Sequence, residues 1–93
     1  MPEIRKKTIV AVDDNPNNIQ IIASSLRGDY NVRPFISGRE CIDYFSKGQT
    51  CDMILLDIEM PEFNGFDTIR VLKSMPGTSK IPVMFLTDRK SVV

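Results

Sequence analysis

The chain has no histidine, no tryptophan and only two cysteines, and its 12 Lys+Arg balance its 12 Asp+Glu. Without histidine there is no imidazole base and no His-bearing zinc site. Acid–base or nucleophilic work therefore falls to carboxylates, hydroxyls, thiols or lysines. Zero net charge excludes a broadly basic nucleic-acid coat. No aromatic residues interleave with the short basic run at 5–7, so no direct nucleic-acid partner is expected. Cys41 and Cys51 fit no metal spacing and are too few for a disulfide framework. They read as free thiols of a reducing cytoplasm. The longest apolar runs, at 9–12, 53–56 and 83–86, are four residues each, and no signal-peptide stretch follows the basic run. Nothing is long enough to cross a bilayer, and a cytoplasmic domain with no membrane partner is expected.

What is present is ordinary for one globular domain: 93 residues, 42% hydrophobic and 26% charged. Short apolar runs alternate with helical patterns. Residues 8–12 are rich in β-branched side chains and read as a buried strand. Asp13-Asp14-Asn15-Pro16 then carries a cap-and-proline signature for a helix start. Ile19, Ile22, Ala23 and Leu26 form one apolar helical stripe, and Gly28 is expected to close that helix. Residues 31–35 predict a second strand at an edge, since Pro34 cannot donate to a ladder. Ser37-Gly-Arg-Glu40 matches a capping box and opens a helix that stops at Gly48. Residues 52–57 (DMILLD) predict a third strand, apolar on both faces as a central parallel strand must be. Phe66, Ile69 and Leu72 carry a third helix ending before Pro76-Gly77, and residues 81–86 predict a fourth strand. The order is β-α-β-α-β-α-β, which right-handed crossovers convert into a parallel sheet with helices on both faces.

In such sheets the reactive site lies beyond the carboxyl ends of the strands. There the sequence puts Asp13 and Asp14 after the first strand, Asp57 at the end of the third, and Thr87 after the fourth. Each has a plainer role: the acidic pair can serve as a helix cap, and a lone strand-end Asp as a turn residue. Three carboxylates on one rim repel one another unless a cation sits between them. A hard divalent cation with oxygen ligands, such as Mg2+, fits that need. A carboxylate beside such a cation can act as a nucleophile toward phosphorus, which makes Asp57 the candidate acceptor and Thr87 a donor to a phosphoryl oxygen. From 52 to 67 there are five acids and no Lys or Arg, which adds to the expected acidity of this region.

The runs VDDN, LLDIEMPEFNGF and PVMFLT, in this order and spacing, resemble the receiver domain of two-component response regulators. The resemblance covers the whole chain. It implies a flavodoxin-like, three-layer α/β sandwich around a parallel sheet. It maps the phosphoacceptor to Asp57, the following Met-Pro and Gly to Met60-Pro61 and Gly65, the acidic pair to Asp13 and Asp14, and the hydroxyl to Thr87. By the same resemblance the main-chain carbonyl of Glu59 joins Asp13, Asp14 and Asp57 as a ligand of Mg2+. The implied function is phospho-acceptance from a sensor histidine kinase or phosphotransfer protein, by a regulatory domain with only self-catalysed phosphotransfer and dephosphorylation rather than an enzyme.

The departures matter as much. Receiver domains have five strands, so residues 1–93 are expected to be an incomplete receiver domain, spanning the first to fourth strands and lacking the last helix-strand-helix portion. The family's strand-five lysine is not matched, and Lys90 does not occupy its position. Asp88 stands where the family usually has a small residue, and its carboxylate is expected to repel or crowd an incoming phosphoryl group. Glu59 and Arg89 are expected to flank the site mouth, either as two solvated charges or as a pair that slows loss of the acyl phosphate. The fourth strand is expected to present an apolar edge, with uncovered sheet beside the first helix, through which a homodimer could form. The alternative reading is therefore a pseudo-receiver or truncated interaction module that self-associates and does not turn over phosphate. A dehalogenase-like phosphatase is disfavoured because Glu59 stands where its second Asp is needed. A P-loop enzyme is excluded because no G-x-x-x-x-G-K-[ST] occurs.

Overall fold

The computed structural model describes residues 6–58 and 64–86. Strands and helices alternate as the sequence predicts: β1 (Thr8–Val12), α1 (Pro16–Leu26), β2 (Asn31–Phe35), α2 (Gly38–Ser46), β3 (Met53–Asp57), α3 (Gly65–Ser74) and β4 (Val83–Leu86). All strand pairs are parallel, in the order β2-β1-β3-β4. From β1 the chain steps one way to β2, then crosses back over β1 to β3 and on to β4. With crossovers of one hand, that reversal puts α1 on one face of the sheet and α2 with α3 on the other. The result is a three-layer, flavodoxin-like sandwich whose direction of winding changes beside β1.

Side-chain alternation fills both interfaces. Val10, Val12, Ile54 and Leu56 pack with Cys41, Phe45 and Leu72 into the core beneath α2 and α3. Ile9 and Ala11 point the other way, where α1 contributes buried Ile19 and Ala23. The strand residues from Ile9 to Val12 are therefore all buried, as a central strand covered on both faces requires.

Several element ends differ from the sequence reading, each for a local reason. β3 begins at Met53 because Asp52 is spent on β1: its N–H donates to the Thr8 carbonyl (2.8 Å) and its carboxylate accepts the Thr8 N–H (2.7 Å). β4 begins after Pro82, which has no N–H to give but whose carbonyl accepts from Ile54 N–H at 3.0 Å. Gly28 does not close α1 in the left-handed region; the Asp29 and Tyr30 amides both turn back to the Leu26 carbonyl. The left-handed glycine is Gly48, at φ +92°, just beyond α2. The box at 37–40 forms by half. The Ser37 hydroxyl accepts from Glu40 N–H at 3.1 Å, while the Glu40 carboxylate takes the Ile36 N–H instead.

Among the described residues β4 pairs with β3 alone. Met84 is 53% exposed and lies in register with half-buried Leu55, on the face that carries α1.

Candidate functional site

The site follows from sheet register. Val12 of β1 pairs with Leu56 of β3, so the next residues, Asp13 and Asp57, leave adjacent strands side by side. Both are buried, at 5% and 3% exposure, while Asp14 is exposed. One carboxylate oxygen from each of Asp13, Asp14 and Asp57 can be chosen so that all lie within 4.8 Å of one another. Their position is the crevice at the carboxyl end of the sheet where winding reverses, the place where open α/β sheets bind ligands.

Backbone hydrogen bonds fix each carboxylate's base. Asp13 N–H donates to the Phe35 carbonyl (3.1 Å), continuing the β1–β2 ladder one residue past the strand. One Asp13 oxygen, Oδ1, accepts the Asn15 N–H at 2.9 Å. Asn15 in turn caps α1, its side-chain oxygen accepting from Asn17 N–H (2.9 Å) and Asn18 N–H (3.4 Å). On the β3 side, Ile58 N–H donates to the Leu86 carbonyl (3.3 Å) and its own carbonyl accepts from Gly65 N–H (3.1 Å). Helix α3 thus starts against the backbone that carries Asp57.

That approach is close enough to require glycine. A Cβ on Gly65 would lie 2.5 Å from the Asp57 carbonyl oxygen and 2.8 Å from the Ile58 Cα, both backbone atoms that no rotamer can move. Directly before it, Asn64 and Asp67 form a complete capping box: the Asn64 side chain accepts from Asp67 N–H (3.0 Å) and the Asp67 carboxylate from Asn64 N–H (3.3 Å). The sequence reading took Gly65 from the family resemblance alone and missed this box. An Asn followed three residues later by Asp, ahead of an apolar stripe, was the available signal.

The expected acidity from 52 to 67 splits once folded. Asp52 sits at the opposite end of β3, bonded to Thr8, and Asp67 is taken by its capping box and by a 3.7 Å ion pair with Arg70. Asp57 alone of the described acids in that stretch joins the Asp13 and Asp14 group. Thr87, Glu59, Met60 and Pro61 lie outside the described residues, as do Asp88, Arg89 and Lys90.

The donor set is three carboxylates, all oxygen donors, and has one exposed member through which ligand waters can stay in contact with solvent. That chemistry fits a hard divalent cation, not a soft one. The thiols are elsewhere: Cys41 lies in the core and Cys51 packs against it. Burial pushes Cys41 up to about 12, helped by neighbouring Cys51, and burial pushes Cys51 up to about 11. Both shifts favour the protonated thiol near neutral pH, the form that is a poor nucleophile and a poor metal ligand. Among the described residues no helix is long and apolar enough to cross a membrane.

Comparison with known proteins agrees with this geometry. Residues 9–93 match the response regulator receiver domain family. A probable cyclic di-GMP phosphodiesterase of Vibrio cholerae is 35% identical over 91 residues, covering 98% of this chain and 20% of that protein. The signal transduction histidine-protein kinase BarA of Escherichia coli is 32% identical over 81 residues, covering 86% of this chain and 9% of that protein. The chain thus spans a fifth or less of the length of these relatives. Among solved structures, the N-terminal domain of a response regulator receiver protein from Methanoculleus marisnigri superposes with a TM-score of 0.82 at 34% identity, covering 92% of this chain and 70% of that one. The order of strands, the acidic crevice at the winding reversal and these matches agree: the chain belongs to the response regulator receiver domain family.

Proposed function

We propose that this domain is a phospho-accepting signalling module that takes a phosphoryl group onto the Asp57 carboxylate from a sensor histidine kinase or a phosphotransfer protein. The observation that carries this reading is the buried Asp57 carboxylate held beside those of Asp13 and Asp14 at the winding reversal. An Asp57 oxygen attacks phosphorus as the bond from phosphorus to the donor atom breaks, and the bonding pair leaves with the donor. The product is an acyl phosphate on Asp57. Asp13, Asp14, Asp57 and the Glu59 main-chain carbonyl would hold Mg2+, and the Thr87 hydroxyl would donate to a phosphoryl oxygen. Bound there, Mg2+ supplies neutralisation of charge on the phosphoryl oxygens. Asp57 is consumed and must be regenerated by hydrolysis, so the domain acts as a regulatory acceptor, not as an enzyme with an external product. Two protonated free thiols suit the reducing cytoplasm, where such donors would meet it.

The donor's docking face is assigned to α1. From Asn15 to Leu26 no residue is charged, and the outer groove is lined by Asn17, Gln20, Ile21, Ser24 and Ser25, with Ile21 63% exposed. This surface begins at Asn17, in the first turn of the helix that follows Asp14, so a protein seated on it brings its phosphoryl group near the acids.

The deciding experiment is intact mass after incubation with Mg2+ and acetyl phosphate or phosphoramidate. One added phosphoryl group, absent without Mg2+ and absent in Asp57→Asn, supports the reading. No addition to the wild type overturns it.

Among the described residues β4 pairs with β3 alone and Met84 is exposed, which favours a second reading, a module that pairs with another copy along β4 and holds no phosphate in turnover. Under that reading light scattering gives a dimer, Met84→Lys gives a monomer, and neither gains mass with acetyl phosphate.

A further inference from the structure

We infer that Asn15 is a positioning residue for the acidic crevice, acting through Asp13; this rests on the metal-dependent reading of the site above. Asn15 is tied by three groups at once. Its side-chain oxygen accepts the Asn17 and Asn18 amides, its carbonyl accepts Ile19 N–H at 3.0 Å, and its own N–H donates to Asp13 Oδ1 at 2.9 Å. Pro16 at the first helical position locks its own φ and adds no competing N–H. The helix cap and the carboxylate anchor are therefore one residue.

The consequence is mechanical. The Asn15 backbone is extended (φ −93°, ψ 112°), and that conformation aims its N–H back at Asp13 while its side chain reaches forward over the first turn. With the side-chain oxygen removed, two amides at the start of α1 lose their acceptor and the first turn frays. The N–H that holds Asp13 Oδ1 then loses its fixed direction. Asp13 is buried beside Asp57, so a rotation of its carboxylate changes the spacing of the oxygens that face the cation. Groups that orient a ligand without touching the metal commonly change affinity by about tenfold or more.

Two cap substitutions separate positioning from simple stability. Ser37 caps α2 by the same chemistry, accepting the Glu40 N–H, and the residues just before that helix include none of the three acids. Mg2+ titration by calorimetry is expected to show affinity reduced about tenfold in Asn15→Ala. Asn15→Ser, which restores a capping oxygen, is expected to return it to within about twofold of wild type. Ser37→Ala is expected to lower the melting temperature about as much as Asn15→Ala while leaving Mg2+ affinity unchanged. Equal Mg2+ affinity in Asn15→Ala and wild type, or no recovery in Asn15→Ser, overturns the role of Asn15. Absence of Mg2+ binding in the wild type overturns the underlying reading of the site, and this inference with it.

Discussion

Strand β3 and its approach carry an aspartate at each end, and the two have opposite fates. Asp57, at the carboxyl end, is 3% exposed and lies beside two other carboxylates. Asp52, preceding the amino end, is exposed and accepts the Thr8 N–H at 2.7 Å. The segment DMILLD carries an acid at each end, yet one acid joins two other carboxylates, whereas the other satisfies a backbone donor. The difference lies in what each end of a parallel sheet offers. Strand amino ends present unpaired N–H groups that a carboxylate can satisfy. At the carboxyl end, the winding reversal opens a crevice into which the neighbouring β1 delivers acids of its own.

The largest effect expected from breaking this comparison is at Asp57. Asp57→Asn is expected to lose all phosphoryl uptake from acetyl phosphate by intact mass, while Asp52→Asn keeps it. Next comes the donor face. Ile21→Asp is expected to slow phosphotransfer from a protein donor by about tenfold, the scale of a modest interface residue near 1.4 kcal/mol. The same change is expected to leave uptake from acetyl phosphate as in wild type, since α1's outer groove does not touch the crevice.

Gly65→Ala tests how tightly the Asp57 end is built. The added Cβ must displace backbone at Asp57 and Ile58, so a loss of about 1–3 kcal/mol in urea unfolding is expected, together with slower phosphoryl uptake. At the other end, Asp52→Ala leaves the Thr8 N–H to water. It is expected to cost about 1 kcal/mol by urea unfolding, with uptake unchanged.

The smallest effect near neutral pH belongs to the two thiols. Burial raises Cys41 to about 12 and Cys51 to about 11, from 9.0 in the unfolded chain. Above pH 9 the unfolded chain releases protons that the folded chain retains. Stability is therefore flat through pH 8 and falls as pH rises from 9 through 11 and 12, which urea titrations at stepped pH will read. Asp52 is a minor upward influence on Cys51, so Asp52→Ala is expected to lower the Cys51 pKa slightly, followed by thiol alkylation rate against pH.

Much of this was legible before folding. The β-branched run at 8–12, the stripe of Ile19, Ala23 and Leu26, and the doubly apolar MILL predicted the alternation and the central position of β3. Asp13, Asp14 and Asp57 were legible as a group because strand ends are fixed by apolar periodicity, which needs only neighbours in sequence. Element ends were less so. Pro82 displaced the start of β4, and the carboxylate of Asp52 was indistinguishable in sequence from a site acid until Thr8 stood opposite it.

The amino-acid sequence by itself determined the kinds and order of the elements, the zero net charge, and which strands end in acids, since these depend on local pattern and composition. Only the tertiary structure decided that three carboxylates approach within 4.8 Å, that Gly65 must lack a side chain because the Asp57 backbone lies against it, and that Asn15 holds Asp13 while capping α1. These depend on the strand order β2-β1-β3-β4, on the register of β1 against β3, and on side-chain orientations set by packing. The approach of Asp57 to Asp13 and Asp14 joins residues distant along the chain, and no local pattern encodes its distance.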